Sequence, residues 1–302
     1  MSEKLVNFDE IRNNNLKSLF LFLMFVILIG ILGAVLGLAL IGNIYFGLIL
    51  AGIFLIIYSL ISWFSGANMI MGLTGAKPVT KKEYPYLFHT IEGLSLAAGI
   101  PTPKAYVIKD SALNAFATGR DPNNAAIAVT TGLLEKMNRE ELEGVLAHEM
   151  SHIKNYDIRA MMIAAVMTGV IILLGDVMIR SFIFGGGKRD SGGGQGQIIM
   201  IVVAIALAIL APIIAQMIKL AISRKREYAA DAGGAVLTRY PPGLASALKK
   251  IAKDPDPLVD KANRATAHLF ISSPFKKKKG FMTGLFATHP PIEDRIKRLE
   301  AM

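Results

Sequence analysis

His148-Glu149-Met150-Ser151-His152 is the stretch on which the reading of this chain turns. Just ahead of it, Asn138-Arg139-Glu140-Glu141 has the form of a capping box, with Asn138 as N-cap and Glu141 at the third helical position. A helix therefore starts here and carries the five residues on its second and third turns. Positions i and i+4 share a helical face, so His148 and His152 can chelate one ion, and Glu149, one residue round, can reach a water on it. Chance produces such a pattern in roughly a few sequences per thousand of this composition, so the rest of the chain must support it.

A catalytic zinc needs a third protein ligand. With no cysteine in the chain, that ligand must be histidine or carboxylate. Glu227, in Arg226-Glu227-Tyr228-Ala229-Ala230-Asp231, is the candidate. Asp231, one turn on, is placed to accept the free N–H of a ligand histidine and fix its tautomer. Taken alone, Glu227 and Asp231 read as a solvated acidic face.

The surroundings are those of a membrane. The 302 residues are 53% hydrophobic with a mean hydropathy of +0.46, and no charged residue occurs between Lys17 and Lys77. That interval holds two spans of about 20 residues, read at 19–41 and 45–65 with Gly42-Asn43 as the turn. Two more are read at 160–180 and 198–219, joined by a Gly-rich polar connector from Gly185 to Gly194. Asp176 and Arg180, one turn apart, read as an interfacial ion pair. The expected divisions are 1–76, an N-terminal tail and first hairpin; 77–159, a catalytic part with a small sheet; 160–222, a second hairpin; and 223–302, a catalytic part carrying the third ligand.

The net charge of +10 points to a membrane surface rather than nucleic acid. Lys4, Arg12 and Lys17 precede the first span, Lys77, Lys81 and Lys82 follow the second, and Arg224, Lys225 and Arg226 follow the fourth. Positive-inside bias then puts both termini and the catalytic parts in the cytoplasm, at the cell membrane. Two spans separate His152 from Glu227, so both return to one side of the bilayer. An intramembrane site is disfavoured, because Glu140, Glu141, Glu143, Lys154 and Asp157 would each cost about 2.5–3.5 kcal/mol at mid-bilayer.

Together these residues resemble the M48 family of zinc metallopeptidases, and within it the membrane branch of the HtpX type, the heat-shock protease group. The resemblance also covers Asn114-Ala115-Phe116-Ala117-Thr118-Gly119, Ala265-Thr266-Ala267-His268-Leu269-Phe270-Ile271, and Thr288-His289-Pro290-Pro291 followed by Arg295-Ile296. It implies a zincin-like α+β domain on a four-span helical membrane protein, and one Zn2+ held by His148, His152 and Glu227. It further implies Glu149 as general base and acid, and cleavage of damaged or misassembled membrane proteins under stress, as protein quality control. The family also contains enzymes that process prenylated proteins.

His289, its surroundings rigidified by Pro290-Pro291, and Arg295 are the expected donors to the tetrahedral oxyanion, a role the resemblance supports; a helix-start signal and a surface arginine are the alternative reading. Segments 105–108, 114–118 and 125–130 read as strands. Asn114, Ala115 and Phe116 are the candidate edge that holds substrate main chain by strand addition, with a plain buried strand nearly as good a reading. His89 and His268 read as structural. Lys276 to Lys279 read as lipid-facing, solvated, or the edge of a lid.

Overall fold

The computed structural model describes residues 2–184, 224–254, 265–272 and 289–302. The predicted fourth span, the Gly185–Gly194 connector, the Asp176–Arg180 side-chain pair and the lysines 276–279 lie outside the described residues or side chains.

The first two helices form the expected hairpin. Helix α1 is Ser2–Ile41 and α2 is Ile44–Leu73, turning at Gly42, whose φ is 73°. The Asn43 side chain accepts the Tyr45 and Phe46 amides and caps α2. Both helices outrun their predicted spans. No Gly or Pro occurs before Gly30, so nothing stops α1 from starting near the terminus. The last turns of α2 bury Ile70 and Met71 in the globular core. Arg12–Leu38 and Ile44–Leu73 contain 18-residue stretches of mean hydropathy 3.1 and 2.5 and are long and apolar enough to cross a membrane. They meet through small residues: a Cβ on Gly33 would lie 2.5 Å from that of Ala51, and one on Gly37 2.6 Å from the Gly47 Cα.

The globular part is mostly helical around a small mixed sheet. Strand β1 is Lys77–Pro78, helix α3 is Pro85–Ala98, and the remaining strands are β2 (Lys104–Ile108), β3 (Ala115–Gly119) and β4 (Ala125–Thr130). The sheet order is β1-β2-β4-β3, with β2 and β4 parallel and the other pairs antiparallel, so β3 is an edge. Helix α4 (Thr131–Lys136) leads into α5 (Arg139–Lys154) and then α6 (Asp157–Phe184). After the undescribed segment come α7 (Arg224–Thr238), α8 (Pro241–Lys253) and α9 (Ile292–Glu300). Ala160, Ala164 and Met167 of α6 pack on Leu21, Phe25 and Leu28 of α1.

Helix α5 sits at the centre because its faces are used all round. The capping box forms as the sequence predicts, with the Glu141 amide donating to Asn138 Oδ1 and the Asn138 amide to Glu141 Oε2, both at 2.9 Å. Glu141 also accepts Ser246 Oγ and Lys250 Nζ of α8, at 2.7 and 2.6 Å. Burial would raise this carboxyl; Lys250, the Asn138 amide and Ser246 outweigh it and hold Glu141 below its ordinary value. Close contact with α8 also depends on Gly144, where a Cβ would meet the Leu244 nitrogen and Cα at 2.6 and 2.8 Å. Alanine would favour the helix by about 1 kcal/mol, but overpacking against rigid backbone costs about 1–3 kcal/mol. Gly144→Ala is expected to lower the Tm of the detergent-purified protein by a few degrees; a raised Tm would show the contact to be compliant.

Candidate active site

His148 and His152 project from one face of α5 and are almost fully buried, as is Glu149 between them. Their rings stand edge to face with Nε2 atoms 3.2 Å apart. Each Nδ1 faces a carboxylate. Asp231 Oδ1 is 2.9 Å from His148 Nδ1, and Asp157 Oδ2 is 2.9 Å from His152 Nδ1. Donation of both Nδ1–H groups leaves two bare nitrogen lone pairs facing each other, which is repulsive unless a cation or a proton lies between them.

Helix α7 supplies Glu227 and Asp231 from one face, both 2% exposed. Glu227 Oε1 lies 3.5 Å from His152 Nε2, and Oε2 3.9 Å from His148 Nε2. Ligand atoms of His148, His152 and Glu227 all fall within 4.8 Å of one another. A tetrahedral ion about 2.0–2.1 Å from two nitrogens separates them by about 3.3 Å, so the observed imidazole pair is spaced for zinc. The approach of α7 to α5 is close because Gly234 has no side chain; a Cβ there would meet the His148 nitrogen at 3.0 Å.

The two rings are shifted in opposite directions. Burial, reinforced by Arg295, lowers His148 to about 4. Burial would lower His152 too, but Asp157 and Glu227 outweigh it and raise that ring well above its ordinary value. Glu227 is held well below the usual carboxylate range, its burial outweighed by His289 and His152. Glu149 goes the other way: burial raises it to about 7, against the pull of His152 and the Ala117 amide, which donates to it.

The C-terminal residues close the site from the α9 side. His289 Nδ1 is 3.0 Å from Glu227 Oε2, while its Nε2, buried, has no hydrogen-bond partner among the described residues. Arg295, 1% exposed, grips Asp231 with Nε and Nη2 at 2.9 and 2.7 Å and donates Nη1 to the Ile271 carbonyl at 3.2 Å. Arg295 holds the Asp231 carboxyl down to about 2 against the effect of burial. His268 is buried against the Met161 carbonyl at 3.1 Å and lowered to about 4 by burial; His89 is exposed.

Strand β3 lies beside Glu149 through the Ala117 amide, with Ala115 and Phe116 buried. The start of its outer edge already carries main chain: Ile271 donates its amide to the Ala115 carbonyl at 2.9 Å, and Asn114 Nδ2 donates to the Ser272 carbonyl at 3.0 Å. Sequence reasoning missed this pairing, as it missed Asp157. Asp157 is five residues past His152, on the next helix, so no i, i+4 pattern includes it.

Residues 81–302 match the model described as Peptidase family M48. A protease HtpX homolog of Dictyoglomus thermophilum is 50% identical over 257 residues, covering 85% of this chain and 82% of the relative. One from Ligilactobacillus salivarius is 41% identical over 297 residues, covering 98% and 99%. The crystal structure of Ste24p from S. mikatae aligns with a TM-score of 0.50 at 21% identity, over 97% of this chain and 67% of that one, a likeness of fold.

Proposed function

Because the chain belongs to peptidase family M48 and is a metalloprotease of the HtpX type, we propose that it is a membrane-bound zinc endopeptidase. Its proposed substrates are damaged or misfolded proteins, membrane proteins among them, cleaved at the cytoplasmic face of the cell membrane. The observation that carries the metal assignment is the facing pair of imidazole Nε2 atoms, 3.2 Å apart, each with its Nδ1 committed to a carboxylate. His148, His152 and Glu227 hold the ion, and Asp231 and Asp157 fix the two rings.

Zinc bound there supplies Lewis acidity, polarising a carbonyl and lowering the pKa of water towards about 7. Glu149 takes the proton from the attacking water and delivers it to the leaving amine; a carboxyl raised to about 7 by burial is matched to both transfers near neutral pH. His289, anchored on Glu227 through Nδ1, is the donor to the developing oxyanion, and Arg295, 3.6 Å from Glu227 Oε2, adds positive charge beside it. The outer edge of β3 beyond Asn114 and Ala115, which Ile271 and Ser272 already occupy, receives substrate main chain, which gives weak side-chain selectivity.

The orientation rests on the basic residues flanking the apolar helices, Lys17 before the first and Lys77, Lys81 and Lys82 after the second. Stripping metal from the detergent-purified full chain with a chelator is expected to abolish casein cleavage, and about one equivalent of zinc per chain should restore it. Cleavage that survives complete metal removal would overturn the reading.

A further inference from the structure

Asn14 is a buried amide in an unexpected place. It lies on α1, one turn ahead of Ser18, where the long uncharged stretch begins, yet it is 4% exposed while its neighbours Asn13 and Asn15 are exposed. Its Nδ2 donates twice, to Asp157 Oδ1 at 2.7 Å and to the Asn155 carbonyl at 2.8 Å. Asp157 is itself 3% exposed, and its other oxygen, Oδ2, is the one 2.9 Å from His152 Nδ1.

Two further contacts tie the same junction. Arg226, the residue before Glu227, places Nε 3.3 Å from Asp157 Oδ1, and Arg159 Nη1 donates to Asn15 Oδ1 at 2.7 Å. Asp157 therefore joins α1, α6 and α7 to a histidine of α5. The link between α5 and α6 is only Asn155 and Tyr156, with Tyr156 left-handed at φ 59°. Asn14 grips both sides of that turn, through the Asn155 carbonyl and the Asp157 carboxylate.

A carboxylate can hold an imidazole in one orientation only if it cannot itself rotate. Oδ2 is fixed on His152 only as long as Oδ1 is held, and the short neutral donor to Oδ1 comes from Asn14. We propose that Asn14, on the first apolar helix, is a positioning residue of the metal site: it locks Asp157, which locks His152 with Nε2 aimed at the ion. Seating of α1 against the α5–α6 turn thereby sets how tightly metal is retained. The inference rests on His148, His152 and Glu227 being the metal ligands.

The test uses the full chain in detergent, loaded with zinc. Asn14→Leu keeps the volume and removes both donors, and Asn13→Leu is the exposed control on the same helix. Zinc transfer to a chromogenic chelator is expected to be about 10–100-fold faster in Asn14→Leu, the range seen when groups supporting metal ligands are removed. kcat should fall with KM little changed, and Asn13→Leu should match the wild type.

A double variant separates positioning from folding. If Asn14 acts through Asp157, adding Asn14→Leu to Asp157→Asn should cost little beyond Asp157→Asn alone, whereas independent losses would multiply. Wild-type zinc retention and kcat in Asn14→Leu would overturn the proposal, as would multiplying losses in the double variant. A wild-type chain that takes up no zinc would sink the metal assignment itself.

Discussion

Glu149→Gln is expected to leave zinc near one per chain while casein cleavage falls by about 10²–10⁴-fold, the usual contribution of a positioned general base. Gln has the shape of Glu and keeps an oxygen to accept the Ala117 amide, so the buried site loses a proton acceptor and little else. Glu149 stands outside the His148, His152, Glu227 cluster, so metal binding and catalysis should separate at this one residue. KM should move little, because the change removes an interaction made in the transition state. Metal analysis and turnover on one preparation make the measurement, and an unchanged rate would sink the mechanism in favour of a scaffold that merely holds metal.

Glu227→Ala is the second large effect, and it should fall on metal content. Loss of a supporting residue costs 10–100-fold in affinity; loss of a ligand should exceed that, to more than about 10²-fold. The change also leaves His289 Nδ1 without its partner and removes an anion 3.6 Å from Arg295 Nη1. Glu227→Gln, which keeps the shape, distinguishes lost charge from lost packing. Zinc stoichiometry after dialysis against a weak chelator is expected to drop sharply in both; full retention would remove Glu227 from the ligand set.

What the sequence could convey was local. The cap at Asn138, the shared face of His148 and His152, and the turn from Glu227 to Asp231 follow from helical spacing, and the Gly42-Asn43 hairpin follows from hydropathy. The strands were legible because turn residues bracket short apolar runs. Asp157 was not, because it belongs to the helix after the motif and meets His152 only through the left-handed turn at Tyr156. Asn14 was hidden more deeply: it precedes Asp157 by 143 residues, and an asparagine before an apolar run carries no sign of its partner. The roles first given to Arg295 and His289 took no account of Asp231 and Glu227 as their anchors, since those contacts also join distant segments.

The chain of contacts from Ser18 through Asn14 and Asp157 to His152 also works as a gauge. Four helical residues rise about 6 Å, and two side-chain contacts carry the path from there to the imidazole. If Ser18 marks the edge of the hydrocarbon, the reacting bond is held at a fixed and small height above it. An extended chain covers that height in a handful of residues, at about 3.3–3.6 Å each. Cut positions in a membrane substrate would then be registered by distance from the bilayer, and lengthening the segment between a substrate's last apolar residue and its cut site should move the cut back towards the membrane.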